Sequence, residues 1–209
     1  MKENGAIKTK SVEKAFLEVE RHAFFPDELV SQAYEDNAFP IGFGQTISQP
    51  STIATMLEML NAKKGMRVLE VGSGTGYVSA LLSNIVGPKG KVFGIDILPE
   101  LVERAKLTLQ SIGLKNVELK QGDGGIGWKE KSPFERILVS AACASVPEAL
   151  FEEINENGIL VAPVGIDYAD LVLFEKKNGK VFERERQGWF AFVPLQTPEQ
   201  EVNEWKGVT

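Results

Sequence analysis

The chain of 209 residues is almost devoid of the side chains that staple or metallate small proteins: it has one cysteine, Cys143, and one histidine, His22. A lone thiol excludes an internal disulfide, and one thiol with one imidazole is too few soft ligands for a structural zinc site, so no metal is expected. Both read as ordinary residues, a small buried thiol and a satisfied or solvated imidazole. No apolar run approaches the roughly 18 residues that span a bilayer, and the opening MKENGAIKTK lacks the apolar core of a secretory signal. A cytoplasmic protein without a membrane partner is expected. Positive charge is not in excess either: 23 Lys and Arg stand against 29 Asp and Glu, a formal net charge of −6, with no basic cluster. Tight binding along a nucleic-acid backbone is therefore disfavoured. There is no repeat and no low-complexity stretch. The length suits one domain that buries its core unaided, and a monomer is favoured.

Periodicity divides that one compact domain into three parts, a helical part at 1–60, an α/β core at 61–165 and a hairpin with tail at 166–209. SVEKAFLEVERHAF places Val12, Phe16 and Val19 on one helix face, and PSTIATMLEML places Ile53, Met56, Leu57 and Leu60 on another. Between them residues 37–51 read NAFPIGFGQTISQPS, too apolar for a solvated linker and too rich in Gly, Thr and Ser for a packed helix or strand. This stretch is expected to be the lid and floor of a substrate pocket. From Met66 onward the β-branched runs MRVLEV, VFGIDI, NVELKQ, ERILVS and GILVAPV alternate with the amphipathic segments YVSALLSNIV, PELVERAKLTLQSIG and VPEALFEEI. That alternation predicts a parallel sheet covered by helices on both faces. DLVLFEKKNGKVFERER then sets two strand-like runs around Asn178-Gly179, a strong hairpin signal, so an antiparallel pair should finish the sheet. A parallel α/β core closed in this way resembles the Rossmann-like fold of the class I S-adenosylmethionine-dependent methyltransferases.

The motif VLEVGSGTGY follows a predicted strand and opens a predicted helix, so Gly72, Gly74 and Gly76 fall on the turn where a ligand can approach the backbone closely. A nicotinamide dinucleotide site would want G-x-G-x-x-G, and Tyr77 occupies the place of its third glycine. The spacing is instead E-x-G-x-G-x-G, with Glu70 at the strand end, and it resembles the first motif of the methyltransferases. By that resemblance Glu70, Gly72, Ser73, Gly74 and Gly76 accept the amino-acid end of the cofactor; the alternative is a tight turn without a ligand. Asp96 ends the next strand, 20 residues after Gly76, where a carboxylate can accept both ribose hydroxyls of an adenosine, with Ile97 beside it. Asp123, in QGDGGIGW, lies just past the third strand; the resemblance puts it at the adenine edge, with Gly124 letting the base lie against the chain. Each acid alone could equally be a turn or capping residue. Together they mark the carboxyl ends of successive strands, the edge at which open α/β sheets bind ligands.

A transferable methyl on a sulfonium is already activated, so the protein has mainly to align the reacting atoms and exclude water. An amine or hydroxyl nucleophile would call for a base near the glycine turn, and none is evident. The Asn/Asp-Pro-Pro-aromatic motif typical of amino-group methyltransferases is missing too, since the fourth strand ends SAACASVPE. A carboxylate nucleophile, ionised at neutral pH, needs no base. It needs hydroxyl and amide donors, and GQTISQP offers them.

AYEDNAFPIGFGQTISQP resembles the signature of the protein-L-isoaspartate (D-aspartate) O-methyltransferases. The similarity runs over nearly the whole chain, through AFLEVERHAFFP, GDGGIGW, SAACASVPEAL, GILVAPVG and FVPL. The resemblance implies methyl transfer from S-adenosylmethionine, leaving S-adenosylhomocysteine, to the α-carboxylate of isoaspartyl residues in damaged proteins and peptides. The ester then collapses to a succinimide that can hydrolyse to normal aspartate. It also implies that Ser48 orients the carboxylate by hydrogen bonding, with Thr46, Ile47 and Val164 at the substrate. A helix-start role for Ser48, close to Pro50, is the alternative. The family usually has Val-Pro-Arg where the chain reads Val19-Glu20-Arg21, and Ala-Ala-Ala or Ala-Ala-Pro where it reads Ala141-Ala142-Cys143; neither departure is expected to touch the chemistry. The tail after Leu195 resembles longer members in which it folds back toward the site, which makes Thr197 a candidate contact. Two other readings remain, a class I methyltransferase acting on a small molecule or RNA, and a cofactor-binding scaffold without this chemistry.

Overall fold

The structure, a computed structural model, describes residues 1, 5–166 and 168–196. An antiparallel pair, β1 (Phe39–Gly42) and β2 (Gln45–Ile47), precedes the main sheet of β3 (Arg67–Val71), β4 (Lys91–Asp96), β5 (Val117–Gln121), β6 (Phe134–Val139), β7 (Ile154–Gly165), β8 (Ala169–Lys177) and β9 (Lys180–Phe190). The helices are α1 (Lys10–Glu18), α2 (Pro50–Leu60), α3 (Tyr77–Val86), α4 (Pro99–Ser111) and α5 (Glu148–Glu153).

The seven strands lie in the order β5-β4-β3-β6-β7-β8-β9. β5 to β7 are parallel, whereas β8 and β9 are antiparallel to their neighbours. The chain winds outward from β3 through β4 to β5, then returns to place β6 on the other side of β3. Open α/β sheets bind ligands at the carboxyl ends of the two strands where the winding reverses. The expected hairpin closes the sheet. Asn178 and Gly179 both have positive φ, 53° and 72°, and Lys177 pairs with Lys180 across them.

Alternate strand residues feed two cores. Val68, Val92, Leu138 and Val161 face α1 to α4, and Leu69, Val71, Phe93 and Ile137 face α5 with Trp128 and Phe134. β3 is buried along almost its whole length, and one of its buried residues, Glu70, is a carboxylate.

Three elements differ from the sequence reading. The first helix stops at Glu18, and the expected continuation becomes a 3-10 turn, Arg21–Phe24. The last crossover helix shortens to Glu148–Glu153, because Ile154 already pairs with Phe134 at the start of β7. Residues 37–51, expected to suit neither helix nor strand, contain the β1–β2 hairpin. Its two-residue turn, Phe43-Gly44, has φ of 55° and 68°, which matches the twist of a tight hairpin. Phe39, Ile41 and Ile47 supply its buried face.

Candidate active site

The turn between β3 and α3 is held to the end of β4 by its own backbone. The amides of Gly72 and Ser73 donate to the Ile95 carbonyl at 2.8 and 3.1 Å, and the Gly76 amide to the Ser73 carbonyl at 2.8 Å. The glycines do different work. A Cβ on Gly76 would stand 3.2 Å from Ala105 Cβ, so this glycine lets α4 pack against the turn. Gly74 faces the β1–β2 hairpin: the neighbour of its absent Cβ is Ile41 Cδ1, at 3.5 Å. The hairpin therefore roofs the turn. Arg104 of α4 reaches the Ile41 carbonyl at 3.5 Å from the other side.

Two small clefts of about 40 Å³ each meet at Gly72. The first lies under the hairpin and brings together Thr46, Ile47, Ser48, Glu70, Ser73 and Gly74. The second is lined by Asp96, Ile97, Gly124 and the strap Pro194, Leu195, Gln196. That strap crosses the end of the sheet, because the Ala142 amide donates to Val193 and the Leu195 amide to Ala142, at 2.8 and 2.7 Å. A roomier cavity of about 520 Å³ sits at the opposite, amino edge of the sheet beside Lys91 and Asn116 and contains none of the candidate residues.

Glu70 is fully buried, its carboxyl accepting from the Ser79 hydroxyl and, at 3.2 Å, from the Ser140 hydroxyl. Burial pushes its pKa up to about 8, against the two serine hydrogen bonds. The buried Ser73 hydroxyl, in the same cleft, has no hydrogen-bond partner among the described residues. Asp96 accepts from the Gly74 amide at 2.7 Å and the Leu98 amide at 3.1 Å. Burial raises its pKa and these amides oppose the rise.

Several candidates stand differently from their expected places. Asp123 accepts from the Gly125 amide at 2.7 Å and so caps the 3-10 turn Gly124–Ile126, the alternative foreseen for an isolated acid; it does not line either cleft. A Cβ on Gly124 would collide with Val71, so packing alone already demands glycine there. Val164 lines neither cleft; its strand is bridged to Cys143. Thr197 lies outside the described residues. Ser48 is not the helix cap: α2 starts at Pro50, and its Ser51 amide is held by Asp36 Oδ1 at 2.8 Å, a carboxylate 15 positions upstream.

Two residues given no role in the sequence reading join the site. Ser140 follows the fourth parallel strand at the same edge as Glu70 and Asp96, and its position alone could have flagged it. Arg21, one position after the departure at Glu20, donates from Nη2 to the Ser48 carbonyl at 2.9 Å.

Residues 1–200 match the family model of protein-L-isoaspartate (D-aspartate) O-methyltransferases. The chain belongs to this family. Among relatives of the same name, one from Methanococcus maripaludis strain C6 is 46% identical over 191 residues, 91% of this chain and 90% of its own. One from Dictyoglomus thermophilum is 43% identical over 196 residues, 93% of this chain and 87% of its own. A solved protein-L-isoaspartate O-methyltransferase superposes with a TM-score of 0.85 at 33% identity, over 94% of this chain and 63% of that one. A second, from Plasmodium falciparum in complex with S-adenosyl-L-homocysteine, gives 0.82 at 26% identity, over 93% and 94%.

This methyltransferase family depends on S-adenosylmethionine, and the site suits that group on its own chemistry. An unpartnered buried hydroxyl at Ser73 and a buried carboxyl at Glu70 line the cleft beside Gly74, whose missing Cβ lets Ile41 close over the turn. A second carboxylate, Asp96, retains lone pairs for hydroxyl donors beyond its two amides. Among the described residues no group of three or more His, Cys, Asp and Glu could hold a metal ion, and no helix is long and apolar enough to cross a membrane.

Proposed function

We propose that the chain methylates the α-carboxylate of L-isoaspartyl residues, and that the residues gathered at Gly72 divide the work. The observation that carries this reading is the hairpin bearing Thr46, Ile47 and Ser48 folded over Gly74, which places hydroxyl and amide donors against the cofactor turn. When bound, S-adenosylmethionine supplies a methyl group already activated by its sulfonium. The substrate carboxylate is ionised at neutral pH, so it would accept that methyl group without a base, and the chain's residues have only to hold it in line and exclude water.

Ser48 holds the carboxylate in line by donating its hydroxyl, with Thr46 and Ile47 shaping the pocket. Ile41 and the rest of the hairpin exclude water. Glu70, Gly72, Ser73, Gly74 and Gly76 take the amino-acid end of the cofactor, and Asp96 with Ile97 the ribose. Asp123 contributes at the adenine edge through the turn that it caps, together with Gly124. Val164 supports the wall through Cys143. The residues beyond Leu195, Thr197 included, complete the site in this reading. The same proposal has damaged proteins and peptides as partners of a cytoplasmic monomer with no nucleic-acid or membrane partner, a view supported by the acidic balance of the chain.

Peptide pairs differing only in aspartyl or isoaspartyl linkage, incubated with methyl-labelled S-adenosylmethionine, test the reaction. Label confined to the isoaspartyl member is expected, and equal or absent labelling refutes it. Ser48→Ala should lower kcat by about 10- to 100-fold while S-adenosylhomocysteine affinity stays within about twofold. An unchanged rate removes Ser48 from the mechanism.

A further inference from the structure

The roof of the site is gripped by a side chain that the sequence reading gave no role. Arg21 stands on the 3-10 turn after α1 and is 2% exposed. Its Nε donates to the Ala33 carbonyl at 2.8 Å and its Nη2 to the Ser48 carbonyl at 2.9 Å. Its Cζ lies 5.0 Å from the Tyr77 ring centroid and 5.1 Å from that of Phe25. Tyr77 is itself buried, opens α3 directly after Gly76, and lines the same cleft as Ser48. One planar cation thus touches the roof at Ser48 and the cofactor side at Tyr77.

We propose that Arg21 is a positioning residue for methyl transfer, its guanidinium fixing the main chain at Ser48 relative to the start of α3. The inference rests on the reading of Ser48 as the group that orients the carboxylate.

Stability alone does not account for this arginine. Among the described residues no carboxylate lies in ion-pair contact with it: Asp36 acts on it from farther away, Tyr77 is its near polar neighbour, and its Nη1 is buried without a hydrogen-bond partner. A buried charge in that condition is costly, and apolar replacements of similar volume are often neutral or stabilising. What an apolar side chain could not do is hold two carbonyls from separate segments in one plane while stacking on Tyr77. The guanidinium fork does that by its geometry; an ammonium of the same charge cannot. The gripped atom matters as well. The direction of the Ser48 hydroxyl follows from its main chain, and displacement of a positioning group by about 1 Å can cost on the order of 100-fold in rate.

Arg21→Lys keeps the charge and removes the fork. It should lower kcat on an isoaspartyl peptide by about 10- to 100-fold. S-Adenosylhomocysteine affinity should stay within about threefold, because the glycine turn is held by Ile95 and Asp96 rather than by Arg21. Millimolar guanidinium, and not ammonium, should restore part of the activity of Arg21→Ala. Ser48→Ala made in the Arg21→Lys background should cost much less than in the parent, since the two act as a unit. A normal kcat in Arg21→Lys, parallel losses of rate and cofactor affinity, or losses that multiply in the double variant would overturn the inference. If Ser48→Ala alone is fully active, it is the Ser48 reading that fails. Guanidinium rescue then shows that Arg21 orders the hairpin by another route, and its absence rejects Arg21 as well.

Discussion

Glu70 offers the sharpest physical test, because the fold buries a carboxyl that water would ionise. Its ordinary pKa of 4.5 rises to about 8, chiefly through burial. Between those values the folded chain keeps a proton at Glu70 that the unfolded chain has lost. The site's contribution to stability is therefore complete below about pH 4.5 and disappears as the pH climbs through 8. At about 1.4 kcal/mol per pH unit, the gap between 4.5 and about 8 amounts to roughly 5 kcal/mol, an order-of-magnitude figure. Glu70→Gln is a neutral isostere whose amide can still exchange hydrogen bonds with the hydroxyls of Ser79 and Ser140. It should abolish this dependence. Urea unfolding of parent and variant from pH 5 to 8.5, without cofactor, gives the comparison. The variant should gain on the parent steadily with rising pH and lead it by several kcal/mol at the alkaline end. Two parallel profiles would refute the argument, since Glu70 would then carry the same protonation in the folded and the unfolded chain.

Asp96→Ala should weaken S-adenosylhomocysteine binding by about 10- to 100-fold in calorimetry while changing kcat at saturation far less, because the ribose lies away from the reacting atoms. Normal affinity would reject the ribose assignment. Gly124→Ala should cost about 1–3 kcal/mol and lower Tm by several degrees, since the added methyl meets Val71; an unchanged Tm would mean that the turn moves aside. Asp36→Ala removes the acceptor for the Ser51 amide and should lose about 1 kcal/mol in denaturant unfolding. No loss there would indicate that water or Gln49 replaces it.

Residues close together in sequence made most of the cofactor side legible. Strand, glycine turn and helix run without interruption from Arg67 to Val86, and Asp96 ends the next strand, so period and spacing place them at one edge. The closing hairpin was legible for the same reason, through Asn178-Gly179. The β1–β2 hairpin was not, because Gly42 and Gly44 dilute its alternation and its turn carries Phe43, not a favoured turn residue, at positive φ. The caps were ambiguous for a different reason. Ser48 and Asp123 are both residue types that start helices, and sequence cannot tell which one does so. In the fold Asp123 caps its turn, whereas the Ser51 amide of α2 turns to the remote Asp36.

Local pattern thus determined the alternation of strands and helices from Arg67 to the closing hairpin, and with it the sheet edge that carries the candidate residues, since each depends on residues within one or two turns of chain. The rest depended on partners brought together from far apart: Arg21 with Ser48, Ser140 with Glu70, Arg104 with Ile41. A hydrogen bond across tens of residues leaves no period and no spacing, so packing alone determined how the roof is aimed at the turn beneath it.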